Sequence, residues 1–106
     1  MSLRKDYDKL VRDRIPEIIE SSGKKAVTRI ADDAEYLSYL RRKLSEEVDE
    51  YTASGDVEEL ADILEVISAL GRQVGVPLSR LIEMADDKRQ ARGGFDGGIL
   101  LISVED

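Results

Sequence analysis

Glu46, Glu47, Glu50, Glu59 and Asp62 are carboxylates set about one helical turn apart on either side of Gly55. Oxygens gathered in that way can hold a hard divalent cation or take a proton from water. Like charges brought together repel and raise one another's pKa, and a cation accepting several of their oxygens removes that cost. Mg²⁺, with Mn²⁺ as the alternative, is the usual ion where a substrate carries phosphates. The plainer reading is a solvated charged face, since the chain has 23 Asp and Glu residues and a net charge of -7. Position argues against it, because Glu47 and Glu59 border apolar stripes where Lys or Gln would be easier to accommodate. Glu59 has a second structural role open to it: Asp56 and Glu59 fit the N-cap and N3 positions of a capping box.

The elements that must position these groups are two amphipathic helices. At about 100° per residue, Leu37, Leu40, Leu44, Val48 and Tyr51 form one apolar stripe, and Leu60, Ile63, Leu64, Ile67, Leu70 and Val74 form another. Glu47 falls roughly 60° to one side of its stripe, with Glu50 and Glu46 further round, and Glu59 and Asp62 fall on the same signed side of theirs. Antiparallel helices joined by a tight turn are related by an approximate two-fold axis, which carries equal signed offsets to one side of the pair. The carboxylates are therefore expected to converge, with Glu50 beside Glu59 and Glu47 beside Asp62.

The pattern Glu46-Glu47-x-x-Glu50 followed by Glu59-x-x-Asp62 resembles the EExxE…ExxD signature of the MazG-like all-α nucleoside triphosphate pyrophosphohydrolases, the superfamily that includes phosphoribosyl-ATP pyrophosphatase and the dimeric all-α dUTPases. Two further segments, KLVRDRIPEII from Lys9 to Ile19 and KRQARGGF from Lys88 to Phe95, are similar to the ends of a small subgroup labelled phosphoribosyl-ATP pyrophosphohydrolase-like. The resemblance implies an all-α helical hairpin or bundle completed by oligomerisation as a homodimer or homotetramer. It also implies Mg²⁺-dependent cleavage of a (deoxy)nucleoside triphosphate, or a related nucleotide, to the monophosphate and pyrophosphate. A narrower alternative is the phosphoribosyl-ATP pyrophosphatase of histidine biosynthesis; one from another class is a non-catalytic, nucleotide-sensing helical dimer. In one respect the chain departs from the superfamily: only eight residues separate Glu50 from Glu59. The hairpin must be tight.

Under this reading Glu46, Glu47, Glu50, Glu59 and Asp62 form the metal-binding set, and Glu47, beside the apolar stripe, is the candidate for orienting or deprotonating water. Lys43, one turn before Glu46 and Glu47, either salt-bridges them or reaches a phosphate. Lys9 and Arg12 in the first family-like segment, and Lys88 and Arg92 on one helical face of the second, complete the candidate substrate-binding set.

The remaining bounds come from length and composition. A chain of 106 residues is read as one domain, 1–106. Without Cys or His there is no disulfide framework, thiolate nucleophile, zinc–thiolate site or imidazole chemistry. No run is apolar enough for a membrane span and no signal-peptide pattern is present, so a cytoplasmic location is expected. The acidic balance argues against a sequence-independent grip on nucleic acid.

Met1 to Asp8 reads as poorly ordered. Pro16 suits the first turn of a short helix ending near Ser22 and Gly23. A capping box at Asp32 and Glu35 opens a long helix to about Ser54, a second runs from about Val57 to Gln73, and a shorter one spans about Ser79 to Ala91. Lys24 to Ile30 and the β-branched tail Ile99 to Val104 are expected to pair as a small two-stranded β ribbon.

Overall fold

The computed structural model describes residues 3–106. Met1 and Ser2, the start of the segment expected to be poorly ordered, lie outside the described residues, and 3–8 form neither helix nor strand. The chain is all-α, with helices α1 (Ile15–Ser21), α2 (Asp33–Ser54), α3 (Val57–Gln73) and α4 (Leu78–Arg92).

Local chemistry sets the helix ends. The Asp32 side chain accepts from the Glu35 amide at 2.8 Å, and Glu35 Oε1 accepts from the Asp32 amide at 3.3 Å, completing the box that opens α2. Arg29 grips the same Glu35 carboxylate through both terminal nitrogens at 2.7 Å. That fork holds the Glu35 carboxyl below its usual range and raises the guanidinium pKa. At the other end of α2 the chain turns left-handed at Gly55, φ 70°, whose amide donates to Tyr51 O at 2.8 Å.

Gly55 and Asp56 alone separate α2 from α3, so the two helices fold back as an antiparallel hairpin. The capping box open to Asp56 and Glu59 does not form. No backbone amide is capped by the Asp56 side chain, whereas the Asp56 amide itself donates to Ser54 Oγ at 3.1 Å. Glu59 is thus free of a helix-starting role.

Beyond α3 the chain turns at Gly75, φ 80°, and the Val76 amide donates back to Gly71 O at 2.7 Å. This corner requires Gly71, where a Cβ would collide with the Val76 carbonyl oxygen. Helix α4 packs on α3, while its backbone stays away from that of α2 and the backbone of α1 stays away from the other helices.

The core runs along the hairpin seam. Leu40 is 2% exposed and Val66 is 7% exposed, with Leu37, Leu44, Ile63, Ile67 and Leu70 half-buried around them. Part of each apolar stripe faces outward: Val48, Leu60, Leu64 and Val74 are exposed. The β ribbon is absent, because no strand occurs among the described residues. Residues 24–30 and 99–104 carry the expected β-branched pattern, but nothing lays them side by side at the ~4.8 Å spacing that a ladder needs. Val27, Ile30, Ile99 and Val104 stay exposed.

Candidate metal centre

The hairpin gives the carboxylates their geometry. Glu47 lies seven residues after Leu40 on α2, two helical turns along the same buried line, and is itself buried at 6% exposure. Glu59 opens the matching line on α3 that continues to Val66. The seam is therefore apolar in its middle and acidic at the turn. One oxygen from each of Glu47, Glu50 and Glu59 lies within 4.8 Å of the others.

Two features set the triad apart from an ordinary solvated acidic face. Glu47 Oε2 and Glu59 Oε2 are buried and have no hydrogen-bond partner, a costly state for a carboxylate. In addition, the Glu59 pKa is pushed up to about 7, first by desolvation and then by the charge and hydrogen bond of Glu50, with Asp62 and Glu47 adding to it. Hard oxygen donors that converge and repel are the donor set that Mg²⁺ or Mn²⁺ prefers.

The other two carboxylates of the expected set point to cations. Glu46 Oε1 lies 3.7 Å from Lys9 Nζ and 3.6 Å from Lys43 Nζ. Asp62 Oδ1 accepts from Arg12 Nη2 at 2.7 Å. The expected pairing of Glu50 with Glu59 is present, while Asp62 is drawn toward Arg12 rather than Glu47.

Among the basic residues, Lys9, Arg12 and Lys43 are gathered at the acidic flank. Lys43, whose side chain is 17% exposed, also reaches Glu47 Oε1 at 3.2 Å and so compensates part of that buried charge. Lys88 and Arg92 are not brought there within one chain: both are exposed on α4, which packs on α3, and neither makes an ion pair among the described residues. Gly93 caps that helix, and just beyond the two glycines Asp96 accepts from Arg89 Nη2 at 2.7 Å.

Sequence reasoning missed a cleft of about 180 Å³ between residues 8–10 and the middle of α2. Arg42 stacks on the Tyr39 ring at 4.1 Å there, and the Tyr39 hydroxyl donates to Asp8. Its signal was present in the helical row Tyr39, Lys43, Glu46 or Glu47, Glu50, but the segment that closes the cleft comes from 31 residues away.

No family model matches the chain, and no solved structure matches it. A stretch of 45 residues is 53% identical to a protein of Mycolicibacterium smegmatis (strain ATCC 700084 / mc(2)155) described as uncharacterized, covering 42% of this chain and 46% of that protein. The match thus spans less than half of that relative and brings no activity with it.

Proposed function

We propose that the chain is a MazG-like, metal-dependent nucleotide pyrophosphohydrolase that cleaves a (deoxy)nucleoside triphosphate or related nucleotide to the monophosphate and pyrophosphate. The observation that carries this reading is the convergence of Glu47, Glu50 and Glu59 with two buried, unpartnered oxygens. A bound Mg²⁺ or Mn²⁺ supplies charge neutralisation and Lewis acidity to a phosphoryl group. Glu50 and Glu59 would hold such an ion with one oxygen of Glu47, and Asp62, paired with Arg12, would be a further ligand. Glu46 stays outside that set and holds Lys9 and Lys43 in place.

In this reading Glu47 offers its second oxygen to the attacking water and takes the proton. The water oxygen bonds to the α phosphorus, the α–β bridging P–O bond breaks, and the bridging oxygen leaves with pyrophosphate. Lys9, Arg12 and Lys43 offset the repulsion between a polyphosphate and the acidic flank. Lys88 and Arg92 can act only across an interface, so they belong to the proposal as residues of a neighbouring subunit in a homo-oligomer. No helix among the described residues is long and apolar enough to cross a membrane.

Pyrophosphate release from a panel of nucleoside triphosphates, with and without Mg²⁺ or Mn²⁺, tests this function. Glu47→Gln is expected to lower the rate by about 10²–10⁴-fold, the usual worth of a general base. Metal should also raise the Tm of wild type more than that of Glu50→Gln; an equal rise in both would remove the site.

A further inference from the structure

The cleft beside the acidic triad is lined by Lys9, Arg42 and Lys43, with Asp8 and Glu46 as its acids and Tyr39 on its wall. Three cations against two carboxylates is an unusual balance in a chain of net charge -7. Arg42 makes no ion pair among the described residues; its guanidinium lies on the Tyr39 ring at 4.1 Å, which leaves its rim of N–H donors for another acceptor. Lys9 and Lys43 share the single carboxylate of Glu46 at 3.7 and 3.6 Å. Each ammonium carries three donors, so both retain capacity for an oxyanion. Lys43 also reaches Glu47 Oε1 at 3.2 Å, which sets the cleft next to the triad.

We propose that this cleft binds the pyrophosphate end of the substrate, and free pyrophosphate as product, through Lys9, Arg42 and Lys43. The assignment rests on the pyrophosphohydrolase reading above and decides which way the substrate lies. Cleavage between the α and β phosphates divides the substrate unequally, with more negative charge on the pyrophosphate half than on the nucleoside monophosphate half. A cleft with three cations favours the former. It also offers a base little purchase: the Tyr39 ring is covered by Arg42 and its hydroxyl is engaged by Asp8. When the α–β bond breaks, the bridging oxygen departs with its electron pair, and Lys43 and Arg42 stabilise the charge that develops on the leaving group.

Calorimetric titration of the full chain with sodium pyrophosphate, without divalent metal, tests the cleft independently of turnover. Arg42→Gln and Lys43→Gln are each expected to weaken pyrophosphate binding about tenfold and to leave binding of a nucleoside monophosphate unchanged. Arg42 does not contact Glu47 and lies at an exposed position of α2, so Arg42→Gln covers the case in which Lys43→Gln disturbs Glu47. Wild-type pyrophosphate affinity in Arg42→Gln, or loss of monophosphate binding in its place, overturns the proposal. Arg42-dependent pyrophosphate binding without hydrolysis of any triphosphate would support the cleft and sink the hydrolase reading. Hydrolysis by wild type without measurable pyrophosphate binding would do the reverse.

Discussion

Glu59 is the residue at which charge and burial meet. Its folded pKa of about 7 lies above the ordinary 4.5, so the folded chain keeps a proton that the unfolded chain gives up between those values. The associated stability is fully present below the unfolded pKa and is lost as pH rises through the folded one. Metal-free protein should therefore lose Tm as pH rises from about 5 to about 8, and Glu59→Gln, which cannot ionise, should flatten that slope. Metal binding must also expel the proton, so apparent Mn²⁺ affinity should climb with pH up to about 7 and level off above it. Calorimetry in two buffers of different ionisation enthalpy reads the released proton directly, and no buffer dependence near pH 6 would contradict the assignment.

Arg12 makes a second residue-scale prediction. It holds Asp62 at 2.7 Å with both side chains partly exposed, and such pairs are worth about 0.2–1 kcal/mol. If a metal competes with Arg12 for Asp62, Arg12→Ala should tighten Mn²⁺ binding by up to about fivefold while raising KM for a triphosphate. Weaker metal binding in the variant would show that Arg12 orients Asp62 for the ion rather than withholding it.

At the scale of elements, the two hairpin corners separate local cost from site geometry. Ala at Gly55 meets no atom within 4 Å, so its cost is the left-handed backbone alone, about 1–2 kcal/mol. Gly71 is crowded: an added Cβ would meet the Val76 carbonyl and lie 3.0 Å from Leu81 Cδ1. Gly71→Ala should loosen α4 from α3 and lower Tm. Because Gly71 is at the far end of α3 from the carboxylates, the metal-induced rise in Tm should survive there, whereas Gly55→Ala should diminish it. Thermal melts of both variants with and without Mn²⁺ check the contrast.

These elements also show what a sequence can carry. Helix limits were legible because caps and glycines act on near neighbours: Asp32 with Glu35, Gly55 and Gly93 each end or begin a helix within one turn. The convergence of Glu50 and Glu59 was legible because helical spacing and a short turn fix it. The capping box at Asp56 failed because Ser54 Oγ took the Asp56 amide. The ribbon failed because two β-branched segments need a scaffold to bring them together, and periodicity supplies none. Arg12 on Asp62, 50 residues apart, was beyond local patterning for the same reason.

The whole molecule leaves apolar surface that one chain does not cover. Its radius of gyration is 18.8 Å, against about 13 Å for a compact domain of this length. Buried hydrophobic residues in the described chain are Leu40 and Val66, while Val57, Leu60 and Leu64 form an exposed row on α3, 74%, 45% and 50% accessible. Exposed rows of this kind mark association surfaces, and small bundles hide too little apolar area alone. We therefore expect a homodimer or homotetramer by sedimentation at micromolar concentration. Leu64→Asp decides the point by magnitude: on a free surface it should change stability by no more than about 0.5 kcal/mol, whereas at an interface it buries a carboxylate without a partner and should both dissociate the assembly and lower Tm. A wild-type chain that sediments as a stable, active monomer, with Leu64→Asp melting alongside it, would show that the row is ordinary solvent-facing surface.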